Sequence, residues 1–235
     1  MIGFYDYTVL LTYLSLLSAG TGIVVSLSGN GHPYLGIIFL LLCGLFDGFD
    51  GRVARTKKNR TDAEINYGIQ IDSLSDVVAF GVLPACIGAA LIRSSESIQK
   101  LIHSENELIG KLVAFVLFAI LILYILAALI RLAYFNVMEE ERQRTEGGVL
   151  KEYTGLPVTT ACLIFPFIMI LHYIIPVDIS LVYFPVTLLT GFAFLGKFKV
   201  PKFGLKGILV MIGIGFVELV LLVLFWIMRT KGIWS

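Results

Sequence analysis

The sequence predicts an all-α, polytopic bundle of membrane helices, and its bulk composition carries most of that prediction. Hydrophobic residues make up 57% of the 235 residues, charged residues make up only 15%, and the mean hydropathy is +0.90. A soluble domain carries nearer a quarter of charged residues. Several apolar runs also reach the roughly 18–20 residues that a helix needs to cross a bilayer. In lipid a helix satisfies its own backbone hydrogen bonds, which makes it the economical way to span.

Seven apolar segments are predicted to span the membrane as helices. They are 8–27, 34–50, 68–92, 112–135, 156–175, 179–195 and 205–228. The Asn-Gly and Pro content of 28–33 predicts a turn, and Pro176 predicts a tight reversal before the sixth span. The first segment is too long and too poor in basic residues for a cleaved signal peptide, so it is interpreted as a span. Because no tandem repeat is evident, residues 1–235 are interpreted as a single integral membrane domain.

Basic residues predict which side of the membrane each loop faces. One side of the predicted topology collects Arg52, Arg55, Lys57, Lys58, Arg60, Arg142, Arg144, Lys151, Lys197, Lys199, Lys202 and Lys206. The other side has Arg93, Lys100, Lys111, Arg229 and Lys231. The positive-inside rule therefore places the loop between spans two and three in the cytoplasm. A net charge of +1 gives no reason to expect nucleic acid as a partner.

Cysteines and histidines are not expected to carry the chemistry of this chain. The cysteines lie in apolar runs without paired spacing, which argues against a disulfide framework or a thiolate metal site. The histidines lie on no common face and are assigned to packing or to the surface. These residues are Cys43, Cys86, Cys162, His32, His103 and His172.

Four aspartates stand where spans two and three meet their shared loop. Asp47 and Asp50 are three residues apart, and Asp72 and Asp76 are four apart, so each pair lies on one helix face. Two facing helices would gather the four carboxylates, which repel one another unless a cation neutralises them. Mg²⁺ and Mn²⁺ prefer carboxylate oxygen, and Mg²⁺ leaves positions for phosphate and water. The alternative is that aspartates at span ends simply lie among hydrated headgroups.

Small and basic residues between the aspartates point to a phosphate ligand. Gly48, Gly51 and Ala54 leave a bare helix surface that a bulky polar ligand could approach. Arg55 lies one turn beyond Gly51 and could pair with a phosphate oxygen in a forked geometry. Metal, arginine and small residues together indicate phosphoryl transfer.

These residues resemble the signature of the CDP-alcohol phosphotransferase family, Asp-x2-Asp-Gly-x2-Ala-Arg, a spacer, then Gly-x3-Asp-x3-Asp. Every fixed position is matched, by Asp47, Asp50, Gly51, Ala54, Arg55, Gly68, Asp72 and Asp76. The spacer at 56–67 is longer than the family's usual one, which predicts a lengthened polar loop around 58–64. The family core has six membrane helices, so the seventh span is expected to be an addition.

The resemblance implies a role for each matched residue. Asp47, Asp50, Asp72 and Asp76 would ligate two ions, Mg²⁺ or Mn²⁺, that bridge the CDP diphosphate. Asp76 would also be the general base on the acceptor hydroxyl. Gly51, Ala54, Arg55 and Gly68 would line the CDP moiety. The resemblance further implies a homodimer whose sites face the cytoplasm.

The wider sequence resembles the phosphatidylserine synthase branch of this family. Segments 50–55 and 71–85 follow the branch pattern with Ala79 in place of a serine, and 131–136 follows Arg-Leu-Ala-Arg-Phe-Asn with Tyr134 in place of the second arginine. Segment 153–157 resembles Phe-x-Gly-Leu-Pro. The branch implies CDP-diacylglycerol and L-serine as substrates in phospholipid biosynthesis. Arg131 and Asn136 would then hold a serine carboxylate or a lipid phosphate, although Arg131 could instead reach toward headgroups.

Other functions stay open at the level of sequence. The acceptor could be glycerol phosphate, inositol phosphate or choline. A cation transporter is a different class, but transporters place such aspartates near mid-membrane and often show inverted repeats. A catalytically silent lipid-binding member of the family is disfavoured because every signature position is kept. Ser73 and Ser75 are assigned to helix packing, and 142–151 to a solvated loop on the side of the aspartates.

Overall fold

The computed structural model describes residues 3–28, 33–145, 152–175, 178–201 and 205–230. Its helices are α1 (Leu10–Leu27), α2 (Pro33–Ala54), α3 (Asp62–Asp76), α4 (Leu83–Ser94), α5 (Glu96–Ile102), α6 (Glu107–Thr145), α7 (Ala161–Ile174), α8 (Tyr183–Leu195) and α9 (Leu205–Thr230). A π-helical segment, Val77–Val82, joins α3 to α4. Two short strands, β1 (Glu152–Thr154) and β2 (Lys199–Pro201), pair antiparallel. The prediction of an all-α membrane bundle is confirmed, with this small clip added.

Each predicted span coincides with a helix. Within the part of the chain that the structure describes, four helical stretches are long and apolar enough to cross a membrane, namely Leu10–Leu27, Pro33–Thr56, Asp62–Ser94 and Glu107–Thr145. Shorter apolar helices stand at the fifth to seventh predicted spans, at Val158–His172, Ser180–Leu195 and Leu209–Phe225. The turn predicted at 28–33 and the reversal at Pro176 fall largely or wholly outside the described residues.

The predicted boundaries around the aspartates are wrong, because polar sequence continues both helices. Helix α2 ends at Ala54 rather than at 50, and α3 begins at Asp62 rather than at 68. Thr61 and Glu64 form a capping box, in which each side chain accepts a hydrogen bond from the other residue's backbone N–H, at 3.2 and 2.7 Å. Half of the long spacer at 56–67 is therefore helix and not loop.

The predicted solvated loop at 142–151 is also wrong over its first part. Helix α6 continues to Thr145, and acid–base pairs one turn apart run along this end. Glu139 pairs with Arg142 at 2.7 Å, and Glu140 pairs with Arg144 at 2.6 Å. Such pairs support an exposed helix even where its apolar periodicity has ended. Residues 146–151 lie outside the described part of the chain.

Helix α2 lies at the centre of the bundle, where it contacts α1, α4, α7 and α9. Small residues let these neighbours approach closely. A Cβ placed on Gly44 would lie 2.3 Å from the sulfur of Cys162 on α7, so only glycine fits there. Cys43 and Cys162 are buried, Cys86 is half-buried, and all three are free thiols, in keeping with their expected role in packing.

The π-helical segment directly after Asp76 has a sequence cause that the motif analysis overlooked. Pro84 has no N–H to donate to the carbonyl of Phe80, four residues earlier. Leu83 instead donates to Val78, five residues back, which widens the helix by one residue. The Tyr124 hydroxyl on α6 donates to the Phe80 oxygen at 2.6 Å. A buried tyrosine thus satisfies the carbonyl that the proline leaves open.

Asp178 ties the helix ends together on the side of the bundle away from the aspartates. It accepts hydrogen bonds from the Ser95 hydroxyl at 2.6 Å, the Ser97 N–H at 3.3 Å and the Ser180 N–H at 2.9 Å. Partial burial opposes ionisation, but these hydrogen bonds outweigh it and hold the pKa of Asp178 well below its usual range. His172 lies 3.8 Å away, which gives this histidine a structural role.

Replacing Asp178 with alanine is expected to lower the free energy of unfolding by about 1–3 kcal/mol, because three donors lose their acceptor. A pKa depressed on folding contributes stability above the ordinary value of 3.8, and that contribution is lost as the pH falls further. Thermal unfolding of the detergent-purified wild type and Asp178→Ala proteins, at pH values above and below 3.8, would measure their difference in stability. The exposed Glu96, paired with Lys100 at 3.8 Å, supplies the control, since Glu96→Ala should change stability little. Equal melting temperatures for Asp178→Ala and wild type would contradict this role.

Candidate active site

Helices α2 and α3 bring three of the four predicted aspartates into one group. Asp47, Asp50 and Asp72 each offer a carboxylate oxygen, and these oxygens lie within 4.8 Å of one another. Asp76 stands outside this group of three and is buried one helical turn beyond Asp72 on α3. The helical spacing thus predicts the convergence of Asp47, Asp50 and Asp72, while a place for Asp76 in the same group stays a prediction.

Helix α1 holds the two acidic helices in register through Thr12, which sequence reasoning missed. The Thr12 hydroxyl donates to Asp50 at 3.3 Å, and the Ser75 hydroxyl donates to the Thr12 carbonyl at 3.3 Å. One threonine therefore touches an acidic residue of α2 and the neighbour of Asp76 on α3. Ser75 acts in helix packing, as expected.

The carboxylate group fits a divalent cation. Asp72 Oδ1 is buried and accepts no hydrogen bond from any residue that the structure describes. A buried carboxylate oxygen without a partner is costly, and the mutual repulsion of three neighbouring carboxylates adds to that cost. Carboxylate oxygens are the donors that hard divalent ions prefer. Asp47, Asp50 and Asp72 are thus the residues that would hold a metal ion.

Glycines and arginines line the loop side of this group. A Cβ placed on Gly51, beside Asp50, would lie 3.6 Å from the Arg55 guanidinium. A Cβ on Gly68, one turn before Asp72, would lie 2.9 Å from the Arg60 guanidinium. Gly51 and Gly68 thus lie beside arginine side chains on the two acidic helices, Ala54 is half-buried on α2, and their contact with CDP stays a prediction. The structure adds Arg60, which the signature does not contain.

The α2–α3 loop is tied to the segment that precedes α1. Lys57 bridges Asp6 and Glu64, with its Nζ 2.6 Å from a carboxylate oxygen of each. The hydrogen bond from Lys57, followed by those from Thr8, lowers the pKa of Asp6 to about 2. Tyr13 and Tyr67 add a hydrogen bond between their hydroxyls at 2.8 Å. These contacts hold the long spacer in a defined shape beside the site.

Asn136 and Arg131 lie on α6 and make different contacts. Asn136 donates to the Ser73 hydroxyl at 2.7 Å, which ties α6 to α3 at the residue that follows Asp72 in sequence. Arg131 is buried, donates from Nε to the Leu156 carbonyl at 3.2 Å, and lies over the Phe135 ring at 5.1 Å. The structure therefore brings Asn136 to the acidic helices, whereas Arg131 contacts the segment that enters α7. Tyr134, at the position of the branch's second arginine, is exposed.

Comparison with curated proteins gives several relatives of this chain. The archaetidylserine synthase of Methanothermobacter thermautotrophicus is 38% identical over 149 residues, which cover 63% of this chain and 52% of that protein. The CDP-diacylglycerol–serine O-phosphatidyltransferase of Saccharomyces cerevisiae is 34% identical over 157 residues, covering 63% and 49%. The enzyme of the same name from Methanocaldococcus jannaschii is 27% identical over 192 residues, covering 81% and 73%.

The chain spans about half the length of the first two of these relatives. No solved structure matches it. The sequence pattern of the CDP-alcohol phosphatidyltransferase family matches residues 8–195, which include α1 to α8 and every aspartate of the site. With most of its length matched, the chain belongs to the CDP-alcohol phosphatidyltransferase family.

Proposed function

We propose that this chain transfers a phosphatidyl group from CDP-diacylglycerol to L-serine, giving phosphatidylserine and CMP in phospholipid biosynthesis. The observation that carries the proposal is the convergence of Asp47, Asp50 and Asp72 within 4.8 Å, beside two glycines that leave room for a ligand. The choice of acceptor is supported by the names of the relatives, one an archaetidylserine synthase and two CDP-diacylglycerol–serine O-phosphatidyltransferases.

Two divalent ions, Mg²⁺ or Mn²⁺, are proposed to be held by Asp47, Asp50, Asp72 and Asp76. When bound, they would supply positive charge to the diphosphate and to the departing CMP. Gly51, Ala54 and Gly68 leave space on both helices for the CDP moiety. The Arg55 guanidinium packs over Gly51 and is proposed to pair with a phosphate oxygen.

Asp76 is proposed to be the general base, which takes the proton of the serine hydroxyl. The serine oxygen then forms a bond to the lipid-side phosphorus, while the bond from that phosphorus to the bridging oxygen breaks. The bridging oxygen leaves on CMP, and the proton passes from Asp76 to water. A buried carboxylate next to the group of three is suitably placed for this task, since a base must lie within hydrogen-bonding reach of its proton.

On the acceptor side, Asn136 and Arg131 are the proposed contacts of the serine carboxylate or a lipid phosphate. Asn136 is supported by its hydrogen bond to Ser73, the neighbour of Asp72. The site is proposed to face the cytoplasm, because Lys57, Lys58 and Arg60 lie at the same end of the bundle. A homodimer is proposed on the family resemblance alone.

A donor and acceptor panel tests the proposed function. Purified protein would be supplied with CDP-diacylglycerol and, in turn, serine, glycerol 3-phosphate, inositol phosphate and choline, after removal of metal and again with Mg²⁺ or Mn²⁺. We expect CMP release from CDP-diacylglycerol with serine and with none of the other acceptors, and only when a divalent ion is present. The corresponding archaetidyl donor belongs in the panel, because one relative is an archaetidylserine synthase.

The other outcomes distinguish the remaining functions. CMP release with a different acceptor and none with serine would keep the chemistry and overturn the choice of serine. Binding of CDP-diacylglycerol without CMP release from any acceptor would indicate a lipid-binding protein. Cation flux across proteoliposomes with no CMP release would indicate a transporter, and release without a divalent ion would overturn the metal.

A further inference from the structure

Arg60 lies in the lengthened spacer before α3 and is directed along that helix toward the carboxylates. Its side chain turns back over Gly68, where a Cβ would lie only 2.9 Å from Nη2. Gly68 and Asp72 are four residues apart on α3 and share one helix face. The guanidinium therefore lies about one helical turn before Asp72, beside the face of α3 that carries this aspartate.

The hydrogen bonding of Arg60 is incomplete. Its Nη2 donates to the Glu64 carbonyl at 3.4 Å, a long hydrogen bond. Its Nε is buried and has no hydrogen-bond partner among the residues that the structure describes. A buried donor of a charged group is costly to leave unsatisfied, and guanidinium N–H groups match anionic oxygens well. The Nε–H of Arg60 is therefore a donor that an anionic ligand could satisfy.

Arg55 and Arg60 flank the two acidic helices, Arg55 directly after the end of α2 and Arg60 two residues before the start of α3. Arg55 packs over Gly51, the neighbour of Asp50 on α2, and Arg60 packs over Gly68, one turn before Asp72 on α3. In both cases a glycine lets a guanidinium approach the backbone of an acidic helix, within about one helical turn of an aspartate along the chain. A ligand carrying two adjacent phosphates would meet a guanidinium from each helix.

We propose that Arg60 binds an anionic phosphate oxygen of the CDP-diacylglycerol diphosphate from the α3 side, and so sets the affinity for the nucleotide donor. The proposal rests on the proposed function and deepens it by adding a residue that the signature omits. The lengthened spacer then contributes to donor binding, because it contains both Arg60 and the capping residue Thr61 that starts α3.

The test compares Arg60→Ala, Arg60→Gln and Arg60→Lys with wild type in steady-state CMP release and in calorimetric binding of CDP. We expect the alanine variant to raise both the KM for CDP-diacylglycerol and the Kd for CDP by about tenfold or more, since charge-assisted hydrogen bonds are the strong ones. The lysine variant should recover part of the affinity. Lys58→Ala is the matched control, because it removes one positive charge from the exposed part of the same loop and should behave as wild type.

Each alternative gives a distinct result that would overturn the proposal. If Arg60 instead binds the serine carboxylate, its replacement would raise the KM for serine and leave the Kd for CDP unchanged. If Arg60 is instead a counter-ion to the aspartates, replacing it would strengthen Mn²⁺ binding, measured by paramagnetic resonance, without altering CDP binding. Unchanged constants in a folded Arg60→Gln protein would overturn it as well, and this variant decides the matter if Arg60→Ala does not fold.

Failure of the inference and failure of the proposed function can be told apart. If wild type releases no CMP from CDP-diacylglycerol, the proposed function fails, while the Kd for CDP still reports on Arg60. If wild type is active and the Arg60 variants keep its KM and Kd, only the role of Arg60 fails.

Discussion

Asp76→Asn is expected to reduce CMP release by about 10²–10⁴-fold while the protein remains folded, because general-base catalysis contributes that much. Asparagine has nearly the same shape as aspartate but cannot take the proton of the serine hydroxyl. Asp76 is 7% exposed and stands outside the group of Asp47, Asp50 and Asp72. Mn²⁺ binding should therefore weaken less in Asp76→Asn than in Asp72→Asn, although both lose turnover.

Glu218→Gln provides a matched control for this experiment. Glu218 is also a buried carboxyl in an apolar helix, but it lies on α9, outside the residues that the family pattern matches. Its conversion to an amide should change turnover by no more than about threefold, as expected for a residue that touches no substrate. Near-normal CMP release by Asp76→Asn would remove Asp76 as the base. An unfolded Asp76→Asn protein would assign the aspartate to stability instead.

The aspartates could be found from sequence because their chemistry and their helical period coincide. Carboxylates at spacings of three and four residues in apolar sequence have few structural uses, so the sequence pattern by itself predicts one site. Arg60 and Thr12 could not be found in this way. Arg60 belongs to a stretch without apolar periodicity, and Thr12 meets Asp50 only because α1 packs between partners distant in sequence.

Helix ends were the least predictable part of the fold, and the reason is local. Hydropathy marks where a segment can be buried in lipid, whereas caps and charge pairs decide where the helix stops. Thr61 and Glu64 start α3 well before its apolar residues, and Glu139 and Arg142 continue α6 beyond its own. The π-helical segment after Asp76 likewise follows from one missing N–H at Pro84 and from a tyrosine on another helix.

Gly155→Ala is expected to destabilise the protein more than any exposed substitution, by about 2–4 kcal/mol. Gly155 has φ +75°, where a side chain is strained, and a Cβ there would lie 2.7 Å from the Phe194 oxygen and 2.8 Å from the Gly196 oxygen. Both are backbone atoms near the end of α8, so neither can swing aside. The glycine of the branch-like segment 153–157 therefore has a conformational reason to be there.

The same substitution should also reduce activity, because the segment at Gly155 is hydrogen-bonded to α6 through Leu156 and Arg131. The Gly155 N–H donates to Phe198 at 2.8 Å, and the Leu156 N–H donates to Ala193 at 3.0 Å, which seats this segment on the end of α8. The Leu156 carbonyl in turn accepts the hydrogen bond of Arg131. A shift of this segment would move Arg131 and, on the same helix, Asn136.

Thermal unfolding and CMP release of the Gly155→Ala protein would measure both effects. Gly20→Ala is the matched control, since a Cβ on Gly20 in α1 meets nothing within 4 Å. That change should be neutral or stabilise by up to about 1 kcal/mol, the usual gain of alanine over glycine in a helix. If Gly155→Ala has the same melting temperature as Gly20→Ala and keeps full turnover, position 155 accepts a side chain without strain. If it keeps its melting temperature but loses turnover with serine, the glycine faces the acceptor directly, and Arg131 is no longer needed to explain its effect.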